Sequence, residues 1–137
     1  MNGLMQERPL LISDLIEYAA RWHADTPVVS RHSDGSVLQF DYRAIAQRSR
    51  QLAHALATLG LPAGASIGTL AWNMHRHLEL YYAVSGSGMV CHTINPRLFY
   101  KQIAYIANHG NDQAKFFDAS FIDIAVKLAG DCPAIRH

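Results

Sequence analysis

The sequence predicts an α/β fold: a mainly parallel sheet with alternating helices, preceded by a helix and a hairpin. Three observations lead there. Short apolar runs (66–72, 89–94 and 114–117) alternate with amphipathic stretches of helical period. Glycines punctuate the ends of those stretches. The run from Met89 to Ile94 is apolar at most positions, which marks a central strand covered on both faces. Strands alternating with single helices imply parallel pairing and right-handed crossovers.

The elements follow in order. Ser13 is placed to cap a first helix from Asp14 to about His23, whose Leu15, Ala19 and Trp22 stripe is expected to pack inward. Residues 27–30 and 37–40 read as hairpin strands, joined by Ser33-Asp34-Gly35-Ser36, where Gly35 accepts positive φ. Asp41 caps a long helix carrying Ile45, Leu52, Leu56 and Leu59. Gly60 supplies its left-handed C′ position and Pro62 blocks continuation. A strand over 66–72 ends at Asn73, and a helix from about His75 to Ser85 puts Leu78, Tyr82 and Ser85 on one face before Gly86 and Gly88. After the strand over 89–94, a helix with Phe99, Ile103 and Ile106 inward closes on Gly110. A strand over 114–117 and a helix over 121–128, ended by Gly130, complete the series. Residues 133–137 read as the approach to another strand.

Composition narrows the function classes. The chain has 137 residues, half of them hydrophobic and 17% charged, with a net charge of +1, which is ordinary for one globular domain. That charge gives no electrostatic basis for nucleic-acid binding. Arg43, Arg48 and Arg50 lack interleaved aromatics and read as a solvated helix face. No apolar run approaches the roughly 18 residues of a membrane span. The N-terminal stretch lacks the basic region, long apolar core and cleavage site of a signal peptide. Cys91 and Cys132 make no disulfide framework, and Cys91 reads as a reduced core thiol, so a cytoplasmic location is expected.

Several local patterns resemble sites and fail on geometry. Gly86-Ser87-Gly88 follows a helix and precedes a strand, whereas a dinucleotide loop needs strand, glycines, then helix. His75 and His77 stand at i, i+2, so on a helix they diverge by about 200° and cannot share a metal; they read as helix-start polar residues. Cys91 and His92, adjacent on a strand, face opposite sides and cannot form a nucleophile–base pair. The Asn95-Pro96-Arg97 corner is different. Asn95 suits an N-cap and Pro96 an N1 position, although the helix could equally begin near Phe99. Either start places Arg97 near free helix amides, and its planar fork suits phosphate or carboxylate. A solvated or structural arginine is the competing reading.

The segments AWNMHRHLELYYAVSGSG, CHTINPRLF and QIAYIANH resemble the N-terminal part of AMP-forming acyl-CoA synthetases, the adenylate-forming ligase superfamily. Within it they are similar to the medium-chain fatty-acid and 3-methylthiopropionate CoA ligases. The resemblance runs from about Pro9 to His137. It implies that the parent activates a short- or medium-chain carboxylic acid with ATP and Mg, forming an acyl-adenylate, and transfers the acyl group to coenzyme A. It implies that residues 1–137 are an N-terminal α/β subdomain without catalytic or metal-binding residues. It also admits a homodimer, and it assigns Arg97 to a phosphate of coenzyme A. The sequence departs from the family at Tyr100 and Lys101, where Pro and Glu are frequent. The family's Ser/Thr/Gly-rich loop ending in Pro-Lys, its Tyr-Gly-x-Thr-Glu segment and its late catalytic lysine match nothing here. The chain is therefore expected to be an N-terminal fragment, inactive alone and prone to self-association or marginal folding. The residues by themselves also admit a stand-alone, non-catalytic α/β interaction module.

Overall fold

A computed structural model describes residues 3–4, 7–32 and 34–137. Ser33 of the hairpin turn and residues 1, 2, 5 and 6 of the N-terminal stretch lie outside the described residues. The order is α1 (Ile12–Trp22), β1 (Pro27–Arg31), β2 (Val37–Asp41), α2 (Tyr42–Ala57), β3 (Ser66–Leu70), α3 (His75–Gly86), β4 (Val90–Thr93), α4 (Tyr100–His109), β5 (Asp112–Phe117) and α5 (Ile122–Asp131), with a 3₁₀ turn at Ala119–Phe121. The α/β expectation holds. β3, β4 and β5 form a parallel sheet, and β1 and β2 an antiparallel pair.

The sheet order is β4-β3-β5, which corrects the placing of β4. β3 is the central strand, buried from Ile67 to Leu70, while β4 is an edge among the described residues and leaves Val90 exposed. Apolar content on both faces measures coverage by helices. It does not count strand neighbours, so it could not separate β3 from β4. The strand over β3 also stops at Leu70, before Ala71 and Trp72.

Helices cover both faces of the sheet. Leu56 of α2 with Leu80, Ala83 and Val84 of α3 pack on Ile67 and Ala114. On the other face Ile103 and Ala107 of α4, with Leu128 of α5, pack on Leu70 and Ile94. A third cluster of Ile16, Ile45 and Ala46 joins α1 and α2 to the hairpin and α3. Asp41 caps α2 as expected, its carboxylate accepting the Ala44 N–H at 2.7 Å. Gly60 takes φ +66°, two residues beyond the cap Thr58 and so one later than expected.

Three helix readings need correction. α1 starts at Ile12, so Ser13 lies inside it and caps nothing. Its buried stripe is Ile16 with Ala20, whereas Leu15 and Trp22 are 62% and 67% exposed. Both stripes obey the helical period, and small alanines allow the closer approach to α2. α4 begins at Tyr100, with Gln102 Oε1 accepting the Phe99 N–H at 3.1 Å; Phe99 points outward, 84% exposed. Gly130 falls inside α5. Residues 136 and 137 form no assigned strand, yet Arg136 N–H donates to Gln113 O at 2.9 Å and Lys115 N–H to His137 O at 3.0 Å.

Arg43, Arg48 and Arg50 are exposed on α2, as expected, and each is paired. Arg43 pairs with Asp25 and Arg50 with Glu17. Arg48 binds the buried Glu79 of α3 with two bonds, at 2.6 and 3.2 Å, clamping the two helices. Tyr100, a departure from the family pattern, donates its hydroxyl to Asp131 of α5 and lies under Lys127. The hydrogen bond to Asp131 pushes the Tyr100 phenol up to about 12.

Candidate functional site

The connections out of β3 and β4 leave on opposite faces of the sheet, since α3 and α4 cover different faces. The crevice beyond the carboxyl ends of such strands is where open α/β sheets bind ligands. A cleft of about 880 Å³ lies there, walled by the turns after β3 and β4, the start of α3 and strand β1. Arg97 lines it.

Backbone geometry presets that corner. Asn95 Oδ1 accepts the Arg97 N–H at 2.9 Å, and Leu98 N–H donates to Asn95 O at 3.3 Å. Asn95 therefore closes a local turn instead of capping the helix, and Arg97 stands three residues before α4. This settles the two open starts in favour of the later one. Among the described residues the exposed Arg97 guanidinium makes no ion pair. It is a cation held at the rim of the cleft by its own turn.

The His75–His77 pair diverges as its spacing requires and stands at the start of α3 as expected, with His75 buried and His77 half-buried. Met74 offers α3 no side-chain cap, and the orphan His75 N–H is taken by Ser30 Oγ of β1 at 2.7 Å. That bond ties the hairpin to the cleft. The His75 ring is 3% exposed and lies 4.5 Å from the Phe40 ring. His77 Nε2 hydrogen-bonds Thr69 Oγ1 at 3.0 Å. Burial lowers the pKa of both imidazoles; around His75, Glu79 opposes the shift while Arg48, Arg76 and His32 add to it. The unfolded chain then binds more protons than the folded one below the ordinary histidine value of about 6.5. Stability is present above that value and is lost as pH falls through the depressed folded values. The melting temperature should drop as pH falls below about 6.5, with a shallower drop in His75→Phe; an unchanged profile in that variant contradicts the assignment.

Cys91 and His92 face opposite sides, as expected: Cys91 packs in the α2/α3 cluster and His92 turns toward β5. Burial raises the Cys91 and Cys132 thiols, and both are free. His92 meets a second constellation that no sequence pattern marks. Asp112 and Ser66 begin β5 and β3, while His92 and Lys115 stand level with Gly68 in mid-sheet. Asp112 Oδ1 accepts from Ser66 Oγ at 2.8 Å and is 2.6 Å from His92 Nδ1, while Lys115 Nζ stands 3.6 Å from Oδ2. Asp112 is fully buried and Lys115 nearly so. Burial depresses the Lys115 ammonium and Asp112 opposes the shift. The knot joins all three strands, from the amino ends of β3 and β5 to the level of Gly68. Among the described residues no group of three or more His, Cys, Asp or Glu could hold a metal, and no helix is long and apolar enough to cross a membrane.

Residues 16–135 match the family model described as AMP-binding enzyme. The whole chain is 49% identical to a 3-methylmercaptopropionyl-CoA ligase of Ruegeria lacuscaerulensis, of which it covers 25%. It is 45% identical over 99% of its length to a medium-chain-fatty-acid–CoA ligase of Ectopseudomonas oleovorans, again covering 25%. The chain thus spans about a quarter of the length of these curated relatives. Among solved structures, the anthranilate CoA ligase AuaEII aligns with a TM-score of 0.80 at 18% identity, over 97% of this chain and 26% of that one. The N-terminal domain of FACL13 from Mycobacterium tuberculosis aligns at 0.77 and 16% identity, over 92% and 32%. These two show a shared fold.

Proposed function

Since the chain belongs to the family of AMP-binding enzymes, we propose that it forms the first α/β layer of an AMP-forming acyl-CoA synthetase. The parent's acid is short- or medium-chain. The identities of 49% and 45% with two acyl-CoA ligases, held along essentially the whole chain, carry this reading. The parent reaction joins a carboxylate oxygen to the α-phosphorus of ATP and releases pyrophosphate. The thiol of coenzyme A then attacks the acyl carbon and AMP leaves. ATP with Mg, coenzyme A and the acid are the parent's partners, with no nucleic acid and no membrane span. A cytoplasmic location and a homodimer complete the proposal.

In that reaction residues 1–137 supply scaffold and one cation. Their role is a single subdomain with no catalytic residue. Arg97 takes a phosphate of coenzyme A: it is exposed, free of ion pairs among the described residues, and fixed at the rim of the cleft by Asn95.

A chimera tests this, with these 137 residues replacing the matching first quarter of the Ruegeria lacuscaerulensis ligase. Arg97→Ala in the chimera should raise KM for coenzyme A about tenfold, the size of a lost charged hydrogen bond, and leave KM for ATP and acid nearly unchanged. An unchanged KM for coenzyme A removes Arg97 from the site.

A further inference from the structure

We propose that the β1–β2 hairpin is an acid-released flap: protonation of His75, whose buried ring forms the hairpin's seat on α3, frees the hairpin and opens the β1 wall of the cleft. The device is independent of what the cleft binds. Among the described residues the two hairpin strands pair only with each other, and the parallel sheet lends them no neighbour. A lone two-stranded hairpin is marginal in water, so its seat decides whether it stays in place. That seat is small. Val28 and Phe40 join the α1/α2/α3 cluster, and Ser30 Oγ accepts the His75 N–H at 2.7 Å, while Val29, Arg31, Val37 and Gln39 face solvent.

The His75 ring closes the seat. It is 3% exposed, 4.5 Å from the Phe40 ring of β2 and 5.8 Å from the ring of His32, which follows β1. His75 Nδ1 and His32 Nε2 are both buried without a hydrogen-bond partner among the described residues. Protonation makes both nitrogens of the His75 ring donors. Nδ1 is then an N–H with no acceptor, and a full charge sits out of solvent.

The surrounding charges do not compensate. On α3, Glu79 attracts an imidazolium, but its carboxylate is taken by Arg48 of α2 through two bonds at 2.6 and 3.2 Å. Arg48 and Arg76 repel it, and His32 brings no negative charge. Asp34, in the hairpin turn, is engaged with the Ser36 N–H at 2.8 Å. Swinging the hairpin away uncovers the ring, which then regains the ordinary histidine value of about 6.5. Docking is therefore fully favoured above that value and weakens as pH falls through the lower docked value. The released strand takes Val28, Val29 and Ser30 out of the cleft wall.

Native-state hydrogen exchange on the 137-residue chain, corrected for the intrinsic rate at each pH, tests this. Below about pH 6.5 the amides of β1 and β2 should lose protection by up to about tenfold per pH unit, and low urea should barely accelerate them, because a local opening exposes little surface. Amides of β3 should stay better protected and respond steeply to urea, the mark of global unfolding. His75→Gln, with nothing to protonate, should flatten most of the hairpin's pH dependence, whereas His77→Gln, two residues along α3, should keep it. In the wild type the His75 ring, followed by NMR, should titrate with the same midpoint as the Ser30 amide shift, and this decides the matter if His75→Gln does not fold. Hairpin and β3 amides with equal protection and equal urea response, an unflattened profile in His75→Gln, a profile flattened by His77→Gln, or separate midpoints for His75 and Ser30 would overturn the flap.

Discussion

Asp112→Ala should lower the unfolding free energy of this chain by about 3–5 kcal/mol, the loss seen when one partner of a buried ion pair is removed. The carboxylate is fully buried and serves three strands at once, through Ser66 of β3, His92 of β4 and Lys115 of its own β5. Alanine leaves the Lys115 ammonium in an apolar setting and the Ser66 hydroxyl without its acceptor. Asp112→Asn keeps an acceptor oxygen but removes the charge, so its cost should fall between wild type and alanine. Urea denaturation at neutral pH measures both. A loss below about 1 kcal/mol in the alanine variant would mean that the knot contributes no more than a surface pair.

Gly68→Ala should destabilise by about 2–3 kcal/mol, at the upper part of the range for an overfilled core. Gly68 occupies the central strand, and a Cβ there would stand 2.3 Å from Asp112 Oδ2 and 3.2 Å from Lys115 Nζ. Ser66 and His92 hold the Asp112 carboxylate through Oδ1, so Oδ2 can swing clear only by disturbing those bonds, whereas the Lys115 ammonium ends a flexible chain and can move. A double-mutant cycle isolates the cause. In the Asp112→Ala background the obstructing oxygen is absent, so Gly68→Ala should cost much less than in the wild type. Equal costs in the two backgrounds would place the strain in the backbone and contradict the steric account.

These two residues mark where the sequence stops being readable. The helices, the hairpin and the alternation that makes the sheet parallel follow from periodicity and turn chemistry, as the Asp41 cap and the positive φ at Gly35 and Gly60 illustrate. Asp112 carries no such signal. It follows Asn111 in what reads as a polar turn, and only the start of β5 at that residue draws it inside, opposite Ser66. His92 and Ser66 are likewise remote from it in sequence, so their meeting depends on register, which no local pattern encodes. The α1 stripe failed for a related reason: two stripes satisfied the same period, and the choice belonged to the partner helices.

The cleft was half legible. Arg97 stood out because a guanidinium at a strand–helix corner has few structural duties, and the resemblance pointed to the same residue. The Ser30 bond that substitutes for a cap on α3 and the bond from Trp72 to Ser120 are contacts across 45 and 48 residues of chain. Such contacts become visible only once the fold brings the hairpin, α3 and the 3₁₀ turn together.

The central claim is that these residues are the scaffold quarter of an acyl-CoA ligase and not its chemistry. ATP-dependent pyrophosphate release, in the presence of a medium-chain acid and coenzyme A, tests it most directly on two samples side by side. The isolated 137-residue chain should release none above background, and the chimera on the Ruegeria ligase body should turn over and form acyl-CoA. Turnover by the isolated chain, or a folded chimera that makes no acyl-adenylate, would contradict the account.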